Sequence, residues 1–220
     1  MDYQNKTVGD IAVQLSGATK VFRKNKLDFC CGGGVLLTEA ASAKGLDFDT
    51  IVCELKELEQ NETENPDWQN KDLNILIEHI LKNFHEKHRY DLPELIKLAQ
   101  RIEIVHGNKE LCPTGLMEFL VKMEGELESH MQKEEQILFP AINNGMFHFV
   151  AGPIEVMKQE HDEHGKNIEK LEKIVHNFEL PSDACNTWRA CYLGVRNLID
   201  DLMNHISLEN NVLFPRALNH

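Results

Sequence analysis

The sequence predicts an all-α protein, with a small N-terminal helical domain followed by an up-down-up-down four-helix bundle. Three observations predict it. Apolar residues recur every three or four positions over most of the chain, which is the helical period. The period-two alternation of β-branched residues that marks strands is absent. One pattern is also written twice, as "HMQKEEQILFPAI" from His130 and "HISLENNVLFPRAL" from His205. Each copy is a His, three residues and a Glu, with Leu-Phe-Pro starting four residues after the Glu.

The elements can be taken in order. Residues 1–62 form the predicted N-terminal domain. "VGDIAVQLSGATKVFRKN" carries Val8, Ile11, Leu15, Ala18 and Phe22 at helical spacing. "VLLTEAASAKG" stops at Gly45, a plausible helix end. "DFDTIVCELKELEQ" opens on Asp and repeats Ile51, Leu55 and Leu58. Residues 63–70, in the polar and aperiodic stretch "NETENPDWQN" with its Pro66, read as a linker. Residues 71–220 hold four long helical patterns. The first contains Pro93, expected to kink or divide it. The second runs from Pro113 to Pro140, and the third opens after Gly152-Pro153. The fourth is expected to be capped by Ser182 or Asp183. Short connections between long helices favour an antiparallel bundle.

Composition narrows the function. The chain has 220 residues, 42% of them hydrophobic, and a formal net charge of −13. So acidic a surface repels phosphate backbones, which argues against nucleic acid as a partner. No apolar run reaches the length of a membrane span. The opening "MDYQNKTVGD" has neither the basic nor the apolar region of a signal peptide, which predicts a cytoplasmic protein. The glycosylation-type triplets at Asn5 and Asn61 carry no weight without export. The six cysteines are then expected to be reduced thiols. Eleven histidines among many carboxylates are a supply of transition-metal ligands.

The repeat supplies the site. Each half of the bundle has a helix with His-x-x-His, His85/His88 or His161/His164, followed by a helix with His-x-x-x-Glu. The step from His85 to His130 is 45 residues, and from His161 to His205 it is 44. Four residues advance a helix by about 6 Å on one face, so His130 pairs with Glu134 and His205 with Glu209. A single such pair is ordinarily a surface contact worth a few tenths of a kcal/mol. Two copies in matched register have no such surface explanation. Facing inward, they bring histidines and two carboxylates into the core, where each Glu has two oxygens and can bridge two metals. Each metal would take two imidazoles, from one hairpin or from neighbouring hairpins. Either member of each His-x-x-His could be the ligand. Mixed imidazole and carboxylate donors suit iron, manganese or zinc, and a bridged bundle site favours iron.

"FCCGGG", "HEKHR", "HMQKEEQILFP", "EHDEHG" and "HISLENNVLFPRAL" occur in this order over nearly the whole chain. In these residues the bundle resembles the hemerythrin-like HHE cation-binding domains. The whole chain resembles the di-iron iron–sulfur cluster repair proteins, the repair-of-iron-centres family of YtfE and ScdA type. The resemblance implies the ligands His85, His130, Glu134, His161, His205 and Glu209, with both Glu bridging. It selects His85 and His161 over His88 and His164. It implies two non-haem irons, oxo- or hydroxo-bridged, and a role in restoring clusters damaged by nitric oxide or oxidants. Its partners would be iron–sulfur proteins, with nitric oxide or oxygen as small ligands. Oxygen-carrying hemerythrins place a further His four residues on, where this chain has Gly165. Six protein ligands leave more open coordination, which suits exchange of iron or nitric oxide better than oxygen carriage.

Cys30 and Cys31 precede Gly32-Gly33-Gly34, which is expected to expose them. A helix beginning near Val35 would favour thiolate there. They are candidates for thiol redox, metal handling or docking, and a flexible linker would let them swing. The other four cysteines are expected to pack in helices. Glu126, one turn before His130, and Glu160, just before His161, are candidate proton relays or iron-exit residues. Nitric oxide reductase-type activity is the enzymatic reading. The alternatives are an oxygen or redox sensor and, less well matched in spacing, a ferritin-like oxidase. The oligomer would be a monomer or a homodimer.

Overall fold

The computed structural model describes residues 1–60 and 67–220. Residues 63–66 of the expected linker, and Asn61, lie outside the described residues. Among the described residues the only β pairing is an isolated bridge between Thr7 and Leu36, so the all-α expectation holds. No described helix is long and apolar enough to cross a membrane.

The N-terminal region holds four helices: α1 (Val8–Gln14), α2 (Ala18–Lys24), α3 (Leu37–Ala43) and α4 (Phe48–Gln60). The stretch expected to read as one helical pattern is two helices, α1 and α2. Gly17 separates them at φ +83°, a left-handed conformation that glycine adopts without strain. Thr7 caps α1 by accepting from the amide of Asp10, and Asp47 accepts from the amide of Thr50 at the start of α4. Gly45 ends the α3 segment at φ +64°, as expected.

The bundle follows. Its first helix is α5 (Leu73–Ile80), a π-helical turn (Leu81–His85) and α6 (Glu86–His106). Its second is α7 (Leu116–Lys133), a π turn (Glu134–Leu138) and α8 (Phe139–Asn143). The third is α9 (Ala151–Ile174). The fourth is α10 (Asn186–Leu208), a π turn (Glu209–Leu213) and α11 (Phe214–Leu218). Neighbours in space are α6 and α7, α7 and α9, α9 and α10, and α10 and α6, which closes the ring of a four-helix bundle.

Two expectations about helix ends are corrected. Pro93 does not divide its helix, because α6 runs through it. Burial of Leu92, Leu95, Ala99 and Ile102 along this helix offsets a cost of about 3 kcal/mol for an interior proline. The cap residue of α10 is Cys185, which makes no side-chain cap bond, and not Ser182 or Asp183.

The N-terminal helices do not stand apart from the bundle. Ile11, Phe22, Phe29 and Leu55 belong to one continuous core with Leu120, Trp188 and Ile199 of the bundle helices. The shared core fixes where the 28–35 loop meets the bundle.

Trp188 is fully buried in that core. Trp188→Ala is expected to lower the unfolding free energy by about 3–5 kcal/mol, read from urea titration. A change below about 1 kcal/mol would contradict the packing described.

Candidate metal centre

The helical steps that bring the ligand candidates together can be followed one by one. His130 and Glu134 lie four residues apart on the second helix, and His205 and Glu209 on the fourth. Glu134 and Glu209 are each the first residue of a π turn, and His85 is the last residue of another. A π turn widens the helix locally and re-aims its side chains, and such turns are frequent at functional sites. Pro140 and Pro215 fall in the first turn of the helices after two of these π turns, where a missing amide is tolerated. The repeated Leu-Phe-Pro thus marks the return from π to α geometry. Its phenylalanines pack on imidazoles across the bundle. Phe139 lies 5.8 Å from the His85 ring, and Phe214 stacks at 5.7 Å on His161.

All six residues meet in the core, almost wholly buried. They form two groups that share both carboxylates: His85, Glu134, His205 and Glu209, and His130, Glu134, His161 and Glu209. The imidazole pairs therefore come from neighbouring hairpins, not from one. His85 Nε2 and His205 Nε2 are 3.2 Å apart, as are His130 Nε2 and His161 Nε2. Glu134 turns Oε2 to His85 at 3.3 Å and Oε1 to His130 at 3.4 Å. Glu209 turns Oε2 to His161 at 3.1 Å and Oε1 to His205 at 3.4 Å. Each carboxylate thus offers one oxygen to each group. No oxygen of either Glu has an aligned hydrogen-bond partner. Buried carboxylates without partners are costly, and a cation in each group would satisfy them.

Outer contacts set the direction of the ring nitrogens. His85 Nδ1–H donates to Glu135 at 2.7 Å, and Arg89 holds Glu135. His130 Nδ1–H donates to Glu160 at 2.9 Å, and Lys133 holds Glu160. His161 Nδ1–H donates to the amide oxygen of Asn210 at 3.0 Å. With Nδ1 protonated, the Nε2 lone pair points into the centre. His205 Nδ1 has no partner, and Phe84 stacks on its ring at 5.2 Å.

The electrostatics follow from burial against carboxylates. Burial opposes charge on His130, but Glu134, Glu209 and Glu160 outweigh it and raise its pKa to about 9. The same balance raises His85. At His205 burial, reinforced by the neighbouring imidazoles of His85, His130 and His161, outweighs Glu134, and the pKa falls well below the usual value. Burial would raise Glu209, but the surrounding imidazoles hold it below the ordinary carboxylate value.

His88 and His164 are neither exposed nor within the two groups. Both are buried, and burial drives His88 far down and His164 to about 3, so both are neutral. His88 lies 5.5 Å from the His205 ring, and His164 lies 5.1 Å from His130. Glu160 is joined to the centre through His130. Glu126 is not, since its carboxylate takes a hydrogen bond from Asn167 at 2.8 Å and pairs with Lys122.

The cysteine pair departs from expectation. Cys30 is buried and Cys31 half-buried, and neither is in a disulfide. Helix α3 begins at Leu37 and is only seven residues long. The Cys30 thiol is pushed up, first by its contact with Cys31 and then by burial and Asp28, which disfavours thiolate. Cys53 is exposed and does not pack in a core. Asp28 folds the loop by accepting from the amides of Cys30, Cys31 and Gly32. The loop docks on the bundle: Asn211 donates to the Phe29 carbonyl at 3.0 Å, and Cys31 Sγ lies 3.4 Å from the His161 carbonyl. Sequence reasoning missed Glu135, Asn210 and Asn211. The neighbouring Glu-Glu and the Asn-Asn after Glu209 were the available signals.

The hemerythrin HHE cation binding domain matches residues 76–217. A second match, ScdA_N, described as a domain of unknown function (DUF542), covers residues 4–59. A probable iron-sulfur cluster repair protein of Haemophilus influenzae is 46% identical, with 100% of this chain and 99% of that one aligned. The iron-sulfur cluster repair protein YtfE of Yersinia pseudotuberculosis serotype IB is 47% identical, with 99% of each chain aligned. YtfE of Yersinia pestis strain Pestoides F is equally similar over the same share.

Glu160→Leu is expected to weaken metal binding by about 10- to 100-fold, the usual cost of losing a carboxylate behind a ligating histidine. Glu126→Leu, at a carboxylate engaged by Asn167 and Lys122 and not by a ligand candidate, should leave affinity unchanged. Equal effects in a metal titration of both variants would contradict these assignments.

Proposed function

From the premise that this chain belongs to the hemerythrin HHE cation-binding family, we propose that it is a cytoplasmic di-iron protein that repairs damaged iron–sulfur clusters. The observation that carries the di-iron reading is the sharing of Glu134 and Glu209, each with one oxygen toward each histidine pair. The donor set fits iron: four imidazole nitrogens and four carboxylate oxygens that lack hydrogen-bond partners of their own. The repair reading is supported by relatives named as iron–sulfur cluster repair proteins and matched end to end. Their names favour repair over oxygen or redox sensing.

Two irons held by these six residues would supply redox chemistry and exchangeable coordination for nitric oxide or oxygen. The chain's own residues do the rest. Glu135 and Glu160 hold the Nδ1 protons of His85 and His130, so these rings keep their Nε2 lone pairs inward. Phe84, Phe139 and Phe214 cover the rings and keep water from the centre. His88 and His164 stay neutral beside it and add no positive charge to compete with a bound cation. Cys31, half-buried, rests on the His161 carbonyl, which suits docking of a recipient protein near the second group.

Purified protein is expected to carry close to two irons per chain, and Glu134→Ala, Glu209→Ala close to none. Iron-loaded parent should restore activity to a nitric oxide-damaged [4Fe–4S] enzyme, and the double variant should not. Recovery that proceeds equally well with the double variant would refute the role of the centre in repair.

A further inference from the structure

The ligating histidines differ in what stands behind them. His85 and His130 each have a carboxylate, held in turn by a cation on the bundle. His161 has the neutral amide of Asn210. That amide is shared: its oxygen accepts from His161 Nδ1 at 3.0 Å, and its Nδ2 donates to the Cys30 carbonyl at 2.9 Å.

The sharing has a logical consequence. A backbone carbonyl only accepts hydrogen bonds. The Cys30 carbonyl therefore requires the NH2 end of Asn210 and leaves its oxygen for His161. An oxygen at that position requires a proton on His161 Nδ1, and Nε2 is left with its lone pair toward Glu209 and His130. If the loop withdraws, nothing fixes the amide. Flipped, it would offer NH2 to Nδ1 and favour the tautomer with a proton on Nε2, which cannot ligate. No carboxylate could do this, because a carboxylate presents an acceptor either way round. A second contact lies on the same side, where Cys31 Sγ rests against the His161 carbonyl.

We propose that Asn210 is a positioning residue that ties the docked cysteine loop to the tautomer of His161, so that displacing the loop releases the iron held by His130 and His161 in preference to the other. A recipient that engages the loop would thereby draw on one iron and leave its neighbour. The proposal rests on the di-iron reading above and adds a regulated order of release to it.

The test uses iron-loaded full-length protein and follows iron release to a ferrous chelator optically. Asn210→Leu removes the amide. Gly33→Ala acts from the loop, since a Cβ there would stand 2.5 Å from the Phe29 carbonyl and force the loop to move. Each is expected to release one of two irons about 10-fold or more faster, the range for loss of a hydrogen bond behind a ligating histidine. The other iron should leave at the parental rate. The double variant should be no faster than Asn210→Leu alone, as expected for two changes on one linkage. Asn210→Asp, which accepts from His161 without needing the loop, should release iron no faster than the parent and should not respond to added Gly33→Ala. Acceleration of both irons alike, multiplied effects in the double variant, or parental release throughout would each overturn the proposal. A parent protein that binds no iron would overturn the di-iron reading and this proposal together, whereas a two-iron parent indifferent to Asn210→Leu would overturn this proposal alone.

Discussion

Two carboxylates, Glu134 and Glu209, lie fully buried at the centre of the bundle without a hydrogen-bond donor aligned to any of their four oxygens. An isolated buried charge costs several kcal/mol, so the fold has to surround these groups with compensating chemistry. It does so with four imidazoles, one toward each oxygen. Three of the four bundle helices carry a π turn at this level, and these turns begin or end on His85, Glu134 and Glu209. The helices give up regular hydrogen bonding where the ligand candidates converge. Long apolar stretches elsewhere in the bundle hold that irregular layer in place.

The internal two-fold is approximate, and its departures are informative. The two groups share their glutamates but not their surroundings. His85 and His130 are backed by carboxylates, His161 by an amide, and His205 by none. The N-terminal helices break the symmetry further, because they pack on one side and join the core of the bundle. The cysteine loop is consequently part of the wall beside His161. Ser207, Asn210 and Asn211 of the fourth helix hold the loop's backbone. An element that looks separable in sequence is thus wired to one half of the centre.

Much of this was legible in the sequence. The doubled His-x-x-x-Glu with Leu-Phe-Pro locates four of the six ligand candidates, His130, Glu134, His205 and Glu209, because helical periodicity is local and survives in the text. The pairing of His85 with His205 across hairpins was not legible, since spacing fixes which face a residue occupies and not which helix becomes its neighbour. The π turns were hidden because one extra residue per turn leaves no compositional mark beyond Pro140 and Pro215. Spacing alone does not separate His88 and His164 from His85 and His161; three residues from a ligand candidate keeps a side chain near the same buried face, and both lie in the core. The break at Gly17 was overlooked because apolar spacing continues through it. The docking of Cys31 against His161 joins residues 130 positions apart, and no local pattern announces such a contact.

The central claim is that one buried layer holds two metals bridged by shared glutamates. Iron K-edge X-ray absorption on the loaded protein tests it most directly. The arrangement predicts nitrogen and oxygen neighbours around iron and an iron–iron scattering path no longer than about 4 Å, the upper separation for two-metal sites. Iron surrounded by the same light atoms but with no second iron within that range would contradict it.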